Sequence, residues 1–278
     1  MDLSRIAPNL RLTEAGLWTS SSHGGFSFPE GGHDECLRVE DGSFWFRHRN
    51  ACLLEIVRAF PPGGTLVEVG GGNGFVAQAL ARAGYETVLL EPGPEGARNA
   101  LARGLAAVVC STFEAAGFRD GSIPAVGMFD VLEHSEDDVA FLRNVHRALA
   151  PGGRFYVTVP AYPALWSAED VHAGHFRRYT AGGLQTRLAD SGFAIERVTY
   201  FFAPLALPIL LLRALPRRLG LASGGAEAID AKTRRYHAPR PGPGARALSA
   251  LLTLELALLR RATPIPFGSS CLAVARKH

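Results

Sequence analysis

Apolar runs of five to eight residues alternate along this chain with stretches whose apolar positions recur every three or four residues. The first pattern suits strands buried on both faces, the second helices with one buried side. Strand-like runs fall at residues 65–69, 86–90, 106–110, 125–129, 154–159, 194–201 and 270–276. Helical patterns fall between them at 43–60, 76–82, 137–150 and 181–191, and another helix begins near Pro94. Leu53, Leu54, Ile56 and Val57 make the apolar face of the first helix, which Pro61-Pro62-Gly63-Gly64 ends. Pro151-Gly152-Gly153 stops the third helix in the same way. Strands alternating with helices over short loops predict an α/β fold with a mostly parallel, doubly wound sheet.

Two stretches depart from the alternation. Residues 1–42 have no clear periodicity and several Gly and Ser, which predicts an irregular N-terminal arm. Residues 202–268 form a long insertion before the last strand. It holds a Leu- and Pro-rich run followed by Arg213, Arg217 and Arg218, then a polar, Pro/Gly-rich loop at 223–244. A second apolar helix at 247–259 ends in Arg260-Arg261. The chain thus divides into an arm (1–42), a core (43–201), a helical insertion (202–268) and a closing strand of the core (269–278). The uncharged run 198–212 is fifteen residues long and broken by prolines, too short to span a bilayer. Three readings of the insertion remain open: an interfacial membrane element, a cap on the core, or a dimer interface.

Charge sharpens that picture. The net charge of +3 divides into +9 for residues 201–278 and −6 for residues 1–200. The basic residues are interleaved with leucines rather than aromatics, which points to an anionic membrane surface more than to nucleic acid. Cys36, Cys52, Cys110 and Cys271 are widely spread with no C-x-x-C pair, so neither a disulfide framework nor structural zinc is expected. No basic-then-apolar leader opens the chain, and a cytoplasmic location, with peripheral contact at the inner membrane face, is the expectation.

The chemistry concentrates at the end of the first strand. Glu68 is followed by Gly70, Gly71, Gly72, Asn73 and Gly74, and a helical stretch begins at once. Such a strand, tight turn and helix open a nucleotide-binding βαβ unit. An acidic residue two positions before the first glycine is awkward for a pyrophosphate and suits a cofactor with a cationic head. The second strand ends in Glu91-Pro92, where an acidic residue accepts hydrogen bonds from ribose hydroxyls. Glu91 could instead cap the helix that follows.

The run from Glu68 to Gly74 resembles motif I of the class I S-adenosylmethionine-dependent methyltransferases. Phe129-Asp130-Val131-Leu132-Glu133-His134 after the fourth strand and Ala150-Pro151-Gly152-Gly153 before the fifth extend the resemblance over residues 45–200. It implies a Rossmann-like seven-stranded sheet in the order 3-2-1-4-5-7-6, with S-adenosyl-L-methionine as cofactor and S-adenosyl-L-homocysteine as product. It places Ser111 or Thr112 at the adenine edge, Phe113 on the ring, and Phe129 or Asp130 beside the methionine portion. Trp45, Phe46 and Arg47, on the helix before the first strand, are in place to reach cofactor or substrate, or else to anchor that helix.

Residues 160–167, then Asp170, then 174–179 resemble a bacterial subgroup of methyltransferases of the type 11, 12 and 23 kind. Trp166, Asp170, His172, His175, Arg177, Arg178 and Tyr179 lie within fourteen residues, leaving the end of strand five, which predicts a substrate lid. Methyl transfer to oxygen asks for alignment and a base. His175 is the first candidate, then His172 and His134, with Asp170 to orient one and Tyr179 nearby. Arg177, Arg178, Trp166, Trp45 and Arg47 are the candidates to hold a small or lipid-linked acceptor. The rival readings are an NAD(P)-dependent oxidoreductase and a membrane-docked protein that binds the cofactor without turnover. No N/D-P-P-Y/F pattern follows strand four, which argues against nucleic-acid methylation.

Overall fold

The computed structural model describes residues 2–21, 32–220 and 242–278. The strands are β1 (Leu10–Leu12), β2 (Trp18–Ser20), β3 (Leu66–Val69), β4 (Thr87–Leu90), β5 (Val108–Cys110), β6 (Ile123–Phe129), β7 (Leu149–Pro160), β8 (Phe193–Phe201) and β9 (Ser270–Lys277). They form one sheet in the order β1-β2-β5-β4-β3-β6-β7-β9-β8. From β2 to β7 every pairing is parallel, and β9 runs antiparallel between β7 and β8. The strands β3 to β9 keep the order 3-2-1-4-5-7-6, but the sheet has nine strands rather than seven. The hairpin β1–β2 adds the extra pair at the β5 edge, with Trp18 opposite Val109 and Thr19 opposite Cys110.

The helices are α1 (Leu3–Ile6), α2 (Gly32–Glu40), α3 (Phe44–Ala59), α4 (Phe75–Arg82), α5 (Pro94–Ala102), α6 (Phe113–Ala116), α7 (Asp138–Ala148), α8 (Ala168–His172), α9 (Ala181–Asp190), α10 (Ala203–Ile209), α11 (Leu215–Arg218) and α12 (Pro243–Arg260). The irregular arm expected over residues 1–42 is thus corrected: it holds α1, the hairpin and α2. Leu3, Ala7 and Leu10 are buried in the main core. Strands of three residues are too short to show alternation, so their pattern was invisible.

The core strands are apolar because both faces are covered. Leu66, Val67, Leu89, Leu90, Val108, Val109, Val126 and Met128 are fully or nearly fully buried. Caps delimit the helices: Ser43 accepts the Trp45 N–H at 3.1 Å to start α3, and Asp137 accepts the Ala140 N–H at 2.9 Å to start α7. β7 begins before Pro151-Gly152-Gly153 rather than after it, because Leu149 already pairs with Ile123.

The insertion returns onto the core. Leu252 and Leu259 of α12 are buried, and Glu255 beside them accepts the backbone N–H groups of Phe202 and Ala203 at 2.8 and 2.7 Å. The same carboxylate lies 2.7 Å from His48 Nε2 on α3. This face of the insertion is a cap on α3. Its other side exposes Leu207, Leu211, Leu212, Leu215, Leu251 and Leu254. The polar loop expected at 223–244 lies, up to residue 241, outside the described residues. Among the described residues no helix is long and apolar enough to cross a membrane.

Candidate functional site

At the carboxyl ends of β3 to β6, where parallel α/β sheets bind ligands, a cavity of about 450 Å³ opens beside the glycine turn. The turn is drawn tight against β4. A Cβ on Gly71 would lie 2.0 Å from Leu89 Cδ1 and 2.8 Å from the Glu68 carboxyl carbon. Gly72 takes a left-handed φ of +55°, which turns its N–H toward Glu91 Oε2 at 2.8 Å. Gly70, Gly71, Gly72 and Asn73 line the cavity. Gly74 does not; it caps α4 and packs on Ala100 and Leu105.

Three buried carboxyls line this space, Glu40, Glu68 and Glu91, and the last two stand at the glycine turn. Burial pushes Glu91 up to about 7, against the stabilising N–H groups of Gly93 and Gly72. The Gly93 N–H reaches Oε1 at 2.6 Å, so two backbone donors fix the carboxyl plane at the cavity wall. Burial also pushes Glu68 up to about 8, despite the pull of Arg49. Its Oε2 is buried with no hydrogen-bond partner among the described residues. A cationic or donor group entering the cavity would satisfy it. These are the demands of an amino acid joined to a nucleoside: hydroxyl donors for Glu91 and a positive group near Glu68. The residues present therefore fit S-adenosyl-L-methionine.

Pro92, Ser111, Thr112, Phe113, Phe129 and Asp130 line the same cavity. Ser111 Oγ is 2.7 Å from Ser20 Oγ on the unforeseen hairpin. Thr112 uses its hydroxyl to cap α6, accepting the Ala115 N–H at 3.2 Å. The Phe113 ring packs against Phe118 and Phe141 with centroids 5.3 and 6.0 Å apart. Asp130 sits at φ 60°, paired with Arg49 Nη1 at 2.7 Å. Residues other than Gly take that backbone region rarely, and it recurs at functional sites.

The expected acceptor-binding and catalytic residues divide. His134 lines the cavity. His175 stands behind it, ring edge-on with centroids 4.8 Å apart. Asp170 is 1% exposed and serves as the hub of its own loop, holding Ser167, His175 and Arg178. Burial would raise its carboxyl, but the His175 hydrogen bond and the Arg178 guanidinium hold it well below the usual range. Tyr179 is buried and donates to Asp138 Oδ2 at 2.9 Å. Burial and the Asp138 charge push its hydroxyl far above the ordinary tyrosine value, which unsuits it for proton transfer. Arg177 binds Asp138 at 3.0 Å, and Arg178 binds Asp170 and the Ala161 carbonyl. These side chains stitch residues 160–179 together and tie them to Asp138 of α7. His172 ends α8, Trp166 is half-buried, Arg47 is exposed, and none of the three lines the cavity. Trp45 stacks on Phe202 at 5.3 Å and under Arg49 at 4.9 Å, anchoring α3 rather than facing the site.

Phe46, expected within reach of cofactor or substrate, lines the cavity, and so do His33, Glu40 and Arg49, which the sequence had not pointed to. His33 Nε2 lies 3.5 Å from Glu91 Oε1, and its ring fills the space beside Gly93 and Gly96. Glu40 accepts from Asn73 at 3.0 Å and Arg103 at 2.7 Å, locking α2 over the turn. A helical i, i+7 spacing of His33 and Glu40 was the available signal.

A family model described as a methyltransferase domain matches residues 44–198. A ubiquinone biosynthesis O-methyltransferase of Xanthomonas oryzae pv. oryzae is 29% identical over 128 residues, 44% of this chain and 54% of that protein. The chain thus spans about half the length of the curated relatives it matches. Haemonchus contortus phosphoethanolamine N-methyltransferase 2, solved with S-adenosyl-L-methionine, superposes with a TM-score of 0.54 at 19% identity, over 88% of this chain and 56% of that one. A Mesorhizobium loti S-adenosylmethionine-dependent methyltransferase gives 0.52 at 18% identity, over 83% of this chain and 100% of that one. At these identities the two structures share the fold with this chain.

Proposed function

Since the chain belongs to the methyltransferase-domain family, we propose that it moves the methyl group of S-adenosyl-L-methionine to a hydroxyl oxygen of a small or lipid-linked acceptor. The observation that carries this reading is the pair of buried carboxyls on one cavity, Glu91 fixed by two backbone N–H groups and Glu68 with an unsatisfied oxygen. An NAD(P) site offers nothing for such an oxygen beneath its phosphates.

When bound, S-adenosyl-L-methionine supplies a methyl group already activated on a positive sulfur. The chain's task is alignment, which contributes roughly 7–11 kcal/mol when the reacting atoms are well placed. Glu91 takes the ribose hydroxyls, Phe113 covers the adenine, and Glu68 with Asp130 flanks the cationic portion. His134 is the histidine on the cavity wall, and the acceptor hydroxyl docks against it. His175, held by Asp170, fixes the His134 ring from behind and never reaches the cavity itself.

The choice of oxygen and of a lipid-linked acceptor is supported by the O-methyltransferase relatives and by the exposed leucines of the insertion, flanked by Arg217 and Arg218. On this reading that face rests on an anionic membrane, as a peripheral contact. Arg213 and Arg218 are partly engaged with Glu169 and the Ala164 carbonyl, so the leucines are the better target for substitution. The test is incubation of methyl-labelled cofactor with membrane-containing extract of the source cells. Label in the organic phase is expected, and Leu207→Asp with Leu211→Asp should abolish it while leaving cofactor binding intact. Label confined to the aqueous phase contradicts the lipid-linked acceptor and makes the insertion a cap alone.

A further inference from the structure

Glu133, His134 and His175 form a cluster that cofactor binding leaves unused. Their ligand-capable atoms all lie within 4.8 Å of one another. Glu133 is 1% exposed, and its Oε2 has no hydrogen-bond partner among the described residues. A carboxyl buried in that condition either takes up a proton or is held ionised by a cation bound beside it.

The surrounding bonds decide which atom of His175 faces it. Asp170 Oδ2 accepts the Ser167 N–H at 2.8 Å and the Ser167 hydroxyl at 2.9 Å. Its Oδ1 accepts Arg178 Nε–H at 2.7 Å. Every neighbour of Asp170 is a donor, so His175 Nδ1, 3.0 Å from Oδ1, donates as well. That assigns the proton to Nδ1 and leaves the Nε2 lone pair directed at Glu133 Oε1, 4.0 Å away. Two acceptors face each other at a distance too long for a hydrogen bond. It is within the span that two ligands of one metal ion take, at roughly 2.0–2.2 Å from the ion each. A carboxylate that grips the far nitrogen of a histidine is the usual outer support of a metal-bound imidazole.

We propose that Glu133, His134 and His175 bind one divalent transition-metal ion, with Asp170 as the carboxylate behind His175. Two imidazoles and one carboxylate match borderline ions such as zinc or cobalt. Three protein ligands leave a coordination position open, as in catalytic rather than structural zinc sites. The open side is that of His134, which is cavity wall. An acceptor oxygen docked against His134 would take that position. The ion therefore gives the acceptor site its selectivity for oxygen donors over cationic amines. The second buried trio, His48, Cys52 and Glu255, does not qualify: both Glu255 oxygens are already taken by the N–H groups of Phe202 and Ala203.

The role in acceptor binding rests on the methyl-transfer reading; the ion site itself does not. The test is titration of the chelator-treated full chain with Co2+, followed by the visible absorption of the bound ion, with S-adenosyl-L-homocysteine binding measured on the same samples. One equivalent of Co2+ with a low-symmetry, intense spectrum is expected, displaced by Zn2+. Glu133→Gln should remove the spectrum and weaken binding at least 100-fold while cofactor-product binding persists, which shows the variant is folded. Asp170→Asn should weaken Co2+ by roughly 10–100-fold through His175. His172→Ala, outside the cluster, should leave the spectrum unchanged. Absence of stoichiometric Co2+ in a chain that binds S-adenosyl-L-homocysteine overturns the inference, as does an unaltered spectrum in Glu133→Gln. Co2+ bound without the cofactor product would uphold the ion site and overturn the methyl-transfer reading instead.

Discussion

Glu91 shows how one side chain links fold to affinity. Its carboxyl is held at about 7 because burial outweighs the two N–H donors that face it. The folded chain therefore keeps this proton more tightly than the unfolded chain, whose value is near 4.5. Stability contributed by this group is present at low pH and falls as pH rises from about 4.5 to about 7. Ribose hydroxyls need the ionised acceptor, so affinity runs the other way. Binding of S-adenosyl-L-homocysteine, followed by calorimetry, should tighten by roughly tenfold between about pH 6 and pH 8. Glu91→Gln should weaken it by roughly 10–100-fold, the worth of a lost charged hydrogen bond, and flatten most of that slope. A slope unchanged in Glu91→Gln would assign the titration to Glu68. Both carboxyls were legible in the sequence because strand, acid and glycine occur in fixed order. His33 was not, because it reaches Glu91 from a helix more than fifty residues upstream, through tertiary packing that spacing does not encode.

Among elements, the docking of α12 on α3 explains what the insertion does for the core. Glu255 satisfies two backbone N–H groups at the bend between β8 and α10, where Phe202 takes a left-handed φ of 57°. Glu255→Ala leaves both donors buried and unpaired. At about 1–3 kcal/mol for each, the variant should lose about 3 kcal/mol of unfolding free energy by denaturant titration. Glu255→Gln keeps an acceptor and should lose much less. Equal stability of all three proteins would mean that α12 does not hold this bend. The elements of the core were readable because short β-branched and apolar runs alternate with helical patterns in a regular order, even though β3, β4 and β5 are only four, four and three residues long. The loop at 160–179 was legible as a cluster, but its internal pairing was not. Of its dense polar groups, Arg177, Arg178 and Tyr179 are paired with Asp170 and Asp138, a pairing that sequence spacing does not encode.

Taken whole, the molecule places a cofactor-sized cavity at the carboxyl edge of the sheet and an apolar, arginine-flanked face on the insertion. The opposed charge of the two portions, +9 and −6, accords with that division. Related sheets accept dinucleotides as readily, so the choice of S-adenosyl-L-methionine rests on the cavity's own carboxyls rather than on the fold. Titration of the purified chain with S-adenosyl-L-homocysteine and, separately, with NAD+ decides it most directly. The account predicts one equivalent of S-adenosyl-L-homocysteine per chain, lost or much weakened in Glu91→Ala, and no measurable uptake of NAD+. Tight NAD+ binding with no affinity for S-adenosyl-L-homocysteine would contradict it.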